Sequence, residues 1–316
     1  MRQPNSVQSS LITSNKIPAP PNKSMTWLML YVCLGYHYKV IFCGFLGKVL
    51  GFEWICYTII HGISTNHWFE QLIYVPVLWY VFYRLIVIVF GPYEGEILGK
   101  SVQNAKFFAL FLATMYVYAT GMHFANTIEI FSREQLNITS GELYEQIYWI
   151  DELLSHWLQF FFYFLFFAWL IVQDRLDRVN GGYIAIFTGL VHGLERAIGV
   201  IEGDNPYSAM LFGVWILIAC FIRWKKHESD FGRVWKDFFF RHGLSFGVSL
   251  PIALFSYQLL FGGFIQPSEM GLDAWKVVLF AVVFISLGCL IVFFICLLYT
   301  SPSPRDATLS RMPSSA

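Results

Sequence analysis

Long apolar stretches alternate with short polar segments along this chain, and the pattern predicts a bundle of membrane-spanning helices. A helix needs roughly 20 mostly apolar residues to cross a bilayer. Candidate spans lie at about 70–91, 105–129, 153–173, 182–201, 208–223, 244–263 and 275–299. Together with one span nearer the N-terminus they make about eight helices. The predicted fold class is therefore an all-α polytopic membrane protein.

The remaining regions divide into one further apolar segment and two polar tails. Residues 25–62 are apolar but interrupted by charged residues, which predicts an interfacial helix at 25–40 and a span at roughly 42–62. Residues 1–24 are rich in Ser, Asn and Pro, which favours a disordered tail. The same holds for 300–316, so the transmembrane domain is expected at 25–299. The end of the chain, LYTSPSPRDATLSRMPSSA, also resembles adapter sequence on conceptual translations of environmental transcripts. On that interpretation the native chain ends differently, near or beyond Cys296.

Loop charge predicts the orientation of the bundle. Cytoplasmic loops carry an excess of Lys and Arg. The most basic segment is RWKKHESDFGRVWKDFFFRH, and the loop QDRLDRVNGG falls on the same side. That side, with both termini, is predicted to be cytoplasmic. The stretch VWKDFFFRHG within the basic segment is expected to lie on the inner membrane face.

Composition supports the membrane assignment and excludes one class of partner. Hydrophobic residues make up 56% of the chain and charged residues only 13%, far from the averages of soluble domains. The net charge of zero gives no indication of nucleic-acid binding. The expected partners are the lipid bilayer and a lipid or small-molecule substrate, and the expected location is an integral, multi-pass one in a membrane that the sequence does not specify.

Polar residues form a stripe on each of three consecutive predicted spans. The stripes, read at 100° per residue, are His123 with Asn126 and Thr127; Glu152, His156, Gln159 and Tyr163; and Thr188, His192, Glu195 and Arg196. Ionisable side chains are costly in hydrocarbon and usually face a protein interior or a cavity. We therefore expect the three stripes to face one another.

The residue types in these stripes favour a metal site in the outer leaflet. Imidazoles with carboxylates suit zinc, with copper or iron as alternatives. The predicted ligands are His123, His156, His192 and Asp151, and the predicted catalytic carboxylates are Glu152 and Glu195. Helix rise places His123 and His156 near the outer boundary and His192 nearer the middle. These residues predict a metal-dependent, hydrolase-like membrane enzyme.

One short motif carries a family resemblance. The run WIDELLSH, which follows a histidine-bearing helix, is similar to the Asp-Glu-Leu motif of alkaline ceramidases and related membrane hydrolases. The resemblance implies zinc held by histidines and an aspartate. Those enzymes also carry a late HxxxH pair, which this chain lacks.

Three other interpretations of the same stripes stay open. They suit a proton or ion path in a transporter or channel, with Glu195, Arg196 and Glu202 along it. They also suit a non-catalytic subunit that meets a partner in the membrane. Each histidine taken singly is also explained as a hydrogen-bonding contact between helices.

Overall fold

The fold is that of a computed structural model of the chain. It describes residues 59–60, 63–91, 100–173, 181–267, 270 and 275–300, with Leu28, Gly51 and Trp54 as isolated positions. The predicted tail at 1–24 and residues 301–316 lie outside these residues. The same is true of nearly all of the predicted interfacial helix at 25–40 and of the predicted span at 42–62.

The described chain is a helical bundle with one minimal hairpin. The hairpin pairs β1 (Ile59–Ile60) with β2 (Ile63–Ser64). The helices are α1 (Thr65–Phe69), α2 (Val75–Phe90), α3 (Lys100–Met122), α4 (Phe124–Gln135), α5 (Glu142–Tyr148), α6 (His156–Gln173), α7 (Gly182–Glu202), α8 (Pro206–Lys226), α9 (Phe231–Lys236), α10 (Phe238–Phe261) and α11 (Trp275–Thr300). Two π-helical segments, Glu70–Tyr74 and Trp149–Ser155, join α1 to α2 and α5 to α6.

Six helical stretches of the described chain are long and apolar enough to cross a membrane. They are His67–Phe90, Val102–Arg133, Glu142–Gln173, Gly182–Glu202, Pro206–Lys226 and Phe238–Phe261. The apolar segment Lys276–Gly288 belongs to the further helix α11. The prediction of an all-α, multi-pass membrane protein is confirmed. We call the end of the bundle with Met122, His156 and Glu202 the outer end, and the end with Gln173, Gly182 and Phe238 the inner end.

Aromatic and small side chains form the core, while large apolar side chains cover the outside. Phe82 of α2 is almost completely buried, as are Phe164 and Phe167 of α6, so much of the aromatic surface of α6 packs inside the bundle. Leu259 and Leu260 of α10 are each 68% exposed, as expected of a lipid-facing surface.

Helices α7 and α10 approach each other closely in the bundle core. A Cβ atom on Gly193 would overlap Ser249 Oγ and lie 2.8 Å from the Leu250 backbone nitrogen. Gly189, one turn earlier, would place a Cβ 2.8 Å from the Ser245 Cβ. Small residues at helix interfaces let backbones approach closely. This contact brings polar side chains of α7 and α10 within hydrogen-bonding reach.

A buried ion pair joins three helices at the inner end. Arg223 Nη2 lies 2.8 Å from Asp237 Oδ2, and Arg223 Nη1 donates to the Ile171 carbonyl at 2.9 Å. Asp237 also caps α10 by accepting a hydrogen bond from the Phe240 backbone N–H at 3.1 Å. The ends of α6 and α8 and the start of α10 are therefore held at one level.

The stretch VWKDFFFRHG does not lie on the membrane face as a whole. Because α10 begins at Phe238, directly after the Asp237 cap, the three phenylalanines at 238–240 and His242 are buried in the bundle. That part of the prediction is wrong, and it concealed a core histidine.

Candidate functional site

A cluster at the outer end, which we call the outer pocket, consists of His123, Asn126, Asp151 and His156. Asp151 Oδ1 accepts a hydrogen bond from His123 Nδ1 at 2.6 Å, and Oδ2 accepts one from Asn126 Nδ2 at 2.9 Å. The Asp151 side chain is 1% exposed and that of His123 is 13% exposed. A buried carboxylate thus fixes the orientation of an imidazole that stays partly accessible.

The π-helical segment before α6 positions Asp151. Its hydrogen bonds run from i to i+5, which widens the turn and changes the angle between successive side chains. Within this segment Asp151 is buried, whereas the Glu152 side chain is 28% exposed. The Ser155 hydroxyl donates to the Asp151 carbonyl, which gives this backbone oxygen a hydrogen-bond partner within the widened turn. Such π-segments occur frequently at functional sites.

His156 lies against His123 and is anchored in the same way. The two ring centroids are 4.9 Å apart, with an angle of 47° between the planes. His156 Nδ1 donates to the Glu152 carbonyl at 3.0 Å. A Cβ atom on Gly203 would lie 3.1 Å from His156 Cγ, so the glycine lets the end of α7 pass close to this ring.

The hydrogen bonds define which nitrogen of each ring is basic. A carbonyl or carboxylate oxygen only accepts, so Nδ1 carries the hydrogen in both His123 and His156. The Nε2 atom of each ring is then the site that takes a proton or binds a ligand. The outer pocket therefore holds two neighbouring imidazoles with basic Nε2 atoms.

Aromatic side chains place the outer pocket near the predicted membrane interface. Tyr148, Trp149 and Trp157 surround it on the same helical stretch and are between 43% and 51% exposed. Tyr and Trp are enriched where a membrane meets water. We therefore expect the pocket to lie near the membrane interface, within reach of lipid headgroups and of small soluble molecules.

A second polar cluster, which we call the buried relay, lies in the middle of the bundle. It consists of Tyr163, His192, His242 and Thr188, each no more than 1% exposed. His192 Nδ1 lies 2.9 Å from His242 Nε2, and His242 Nδ1 lies 3.0 Å from Thr188 Oγ1. The Tyr163 hydroxyl is hydrogen bonded to His192 Nε2.

The end of the buried relay sets its direction. Thr188 donates its hydroxyl to the Ala185 carbonyl at 3.1 Å, which leaves Oγ1 to accept from His242. His242 Nε2 then accepts from His192 Nδ1, and His192 Nε2 accepts from Tyr163. Every hydrogen-bond donor in the buried relay points from Tyr163 towards Thr188, and both imidazoles carry their hydrogen on Nδ1.

An ion pair separates the buried relay from the outer pocket. Arg196 donates from Nε and Nη2 to the two carboxylate oxygens of Glu195, a bidentate arrangement between adjacent residues. The guanidinium carbon of Arg196 lies 4.7 Å from the centroid of the Tyr163 ring. The Tyr116 ring also contacts the Tyr163 ring, and the two centroids are 5.1 Å apart.

The structure divides the predicted site residues between these clusters. His123, His156 and Asp151 come together, with Glu152 at their edge. His192 does not join them, because it contacts Tyr163, which is seven residues or about 10.5 Å beyond His156 along α6. Glu195 is occupied by Arg196.

The predicted four-ligand metal site is therefore not assembled. Within the described ranges no three His, Cys, Asp or Glu side chains are arranged to hold a metal ion. A zinc, copper or iron cofactor stays a prediction.

One member of the buried relay was missed by sequence reasoning. His242 follows Arg241 in a segment whose basic residues suggest an interfacial helix. The signal that could have found it is Asp237, since an N-cap residue at this point starts a helix that carries His242 inward.

Comparisons with protein families, with curated proteins and with solved structures find no match to this chain. The function is therefore inferred from the geometry of the two clusters.

Proposed function

We propose that this protein is a membrane-embedded enzyme that performs general acid–base chemistry in the outer pocket on a lipid or small-molecule substrate. The observation that supports it is the His123–Asp151 pair, in which a buried carboxylate holds a partly accessible imidazole. This is the arrangement in which an aspartate orients a histidine base and stabilises the imidazolium that forms.

The residues of the outer pocket have distinct roles in this proposal. His123 Nε2 accepts a proton from water or from a substrate hydroxyl, and Asp151 stabilises the resulting positive charge. Asn126 holds the second carboxylate oxygen, so Asp151 keeps its orientation. His156, with its own basic Nε2, is the second proton acceptor or donor, which the leaving group requires.

The geometry favours a metal-free mechanism over the metal-dependent one predicted from the sequence. A catalytic zinc site needs three protein ligands and an open position. Among the described residues the outer pocket offers two imidazoles, while Asp151 is engaged by His123 and Asn126. In a metal-bound form Asp151 would instead orient His123 as a ligand.

The test compares Asp151→Asn with Asp204→Asn. The full-length protein, in nanodiscs of a total lipid extract with added soluble metabolites, is incubated and profiled by untargeted mass spectrometry. Asparagine at 151 can donate to His123 and reverse its tautomer, so turnover should fall by about 10²–10⁴-fold. Asp204→Asn makes the same charge change at an exposed position of the outer end and should leave turnover unchanged.

Two results would contradict the proposal. One is a wild-type profile identical to that of empty nanodiscs. The other is turnover that Asp151→Asn leaves intact. Metal analysis of the same preparation, with and without a chelator, separates the two mechanisms. Stoichiometric metal and chelator-sensitive turnover would support the metal-dependent mechanism.

A further inference from the structure

We propose that the protein also conducts protons through its interior, along the buried relay. This inference uses Tyr163, His192, His242 and Thr188 and does not depend on the outer pocket being catalytic. Chains of ionisable side chains inside membrane bundles are typical of proton relays. Here one phenol, two imidazoles and one threonine hydroxyl are joined by unbroken hydrogen bonds between three helices.

The direction of the hydrogen bonds defines the transfer steps. A proton that joins the Tyr163 oxygen lets the hydroxyl hydrogen move to His192 Nε2. The Nδ1 hydrogen of His192 then moves to His242 Nε2, and that of His242 moves to Thr188 Oγ1. The hydroxyl hydrogen of Thr188 leaves its bond to the Ala185 carbonyl and passes to a water molecule on the inner side. One O–H or N–H bond breaks as another forms at each step, so the relay holds the same number of hydrogens before and after the transfer.

Polar side chains continue the path above and below the buried relay. On the inner side Asp237 lies five residues before His242 on the chain, about 7.5 Å along α10. On the outer side Gln159, 8% exposed, lies one turn from Tyr163 in the direction of His156. In this proposal water molecules carry the proton between Thr188 and the inner end, and between Tyr163 and the outer pocket past the Glu195–Arg196 pair.

The packing around His192 limits the rate. Each passage leaves the hydrogen bonds pointing the other way, so the imidazoles must reorient before the next proton. The Phe246 ring is stacked on His192 with centroids 4.0 Å apart and an interplanar angle of 7°. Reorientation in such a packed environment is slow, so we expect transport over minutes at high protein density and not the current of an open channel.

The experiment measures proton flux into liposomes that contain the full chain and a trapped pH-sensitive dye. A pH step is applied with potassium and valinomycin present, so that no opposing voltage builds up. Wild-type liposomes should change internal pH faster than protein-free ones. Replacing the external salt with sodium should give no sodium uptake, since the relay has no room for a hydrated cation.

Tyr163→Phe and Tyr257→Phe are the matched variants. Both remove one buried phenol oxygen, but the Tyr257 hydroxyl donates to the Ile265 carbonyl at 2.7 Å, outside the relay. Tyr163→Phe should slow the flux by about tenfold or more, and Tyr257→Phe should leave it unchanged. Thr188→Val, which keeps the shape of the side chain, should act like Tyr163→Phe and serves if that variant does not fold.

The proposal is overturned if wild-type liposomes take up protons no faster than protein-free ones. It is also overturned if a folded Tyr163→Phe or Thr188→Val variant conducts like the wild type, or if sodium passes as readily as protons. None of these results bears on turnover by Asp151→Asn, so the failure of this inference is distinguishable from the failure of the proposed enzyme.

Discussion

Replacing Gly193 with alanine tests the contact between α7 and α10. The new Cβ would overlap Ser249 Oγ, lie 2.8 Å from the Leu250 backbone nitrogen and lie 3.0 Å from the Phe246 carbonyl oxygen. Two of these three atoms belong to the backbone, so the helices themselves must separate. Overpacking of this kind costs about 1–3 kcal/mol.

Gly199 on the same helix provides the control. A Cβ there meets nothing within 4 Å, so alanine should stabilise the helix by about 0.5–1 kcal/mol. The free energies of unfolding of Gly193→Ala and Gly199→Ala should therefore differ by about 1.5–4 kcal/mol. The measurement is denaturant unfolding in mixed micelles, followed by circular dichroism.

A third variant separates the two parts of the clash. Ser249→Ala removes the oxygen that the new Cβ would overlap, although it also removes the hydrogen bond from Ser249 to the Gly189 carbonyl at 3.3 Å. A double-mutant cycle with Gly193→Ala should show partial rescue, because the Leu250 backbone nitrogen stays in place. Equal stability of Gly193→Ala and Gly199→Ala would refute the close contact, and with it the framework that aligns His192 and His242.

Two further predictions concern buried polar groups. Asp237→Asn leaves the buried Arg223 cation without its counter-charge and should reduce the free energy of unfolding by about 3–5 kcal/mol. The control Lys225→Ala breaks an exposed ion pair with Glu228 and should reduce it by less than about 1 kcal/mol. Similar losses for both variants in denaturant unfolding would show that the Arg223–Asp237 pair is not buried. In ¹⁵N spectra of histidine-labelled protein, His192 and His242 should both give the signals of Nδ1-protonated neutral rings, and Nε2-protonated rings would mean that the relay runs in the opposite direction.

The membrane fold could be predicted from the sequence because lipid leaves the backbone few choices. A spanning segment must satisfy its own N–H and C=O groups, so an apolar run of sufficient length becomes a helix. The predicted span at 182–201 corresponds to Gly182–Glu202, and the one at 208–223 to Pro206–Lys226. The positions of three polar stripes facing inward also follow from the cost of burying charge in lipid.

The details of the outer pocket depend on local geometry that a helical wheel cannot represent. A constant 100° per residue places Glu152 in the stripe with His156 and Tyr163. The π-helical turn changes this angle, so Asp151 is the buried carboxylate and Glu152 lies at the edge. No feature of the residue pattern around WIDELLSH indicates the extra residue in that turn.

The grouping of the histidines could not be derived from depth alone. The sequence placed His192 nearer the middle than His123 and His156, but its partner His242 comes from a helix whose start was misjudged. Two neighbouring glycines, Gly189 and Gly193, permit that pairing, and a small residue by itself does not say which helix approaches it.

The ion pair between Glu195 and Arg196 has a consequence for how the protein enters its membrane. An arginine near the centre of a helix adds roughly 2.5–3.5 kcal/mol to the cost of insertion when it enters alone. Because the counter-charge is the preceding residue of α7, the two charges reach the lipid together and neutralise each other within one segment. The part of α7 from 182 to 201, which precedes the terminal Glu202, can therefore insert as an electrically neutral segment during synthesis, before α8 and α10 have left the ribosome.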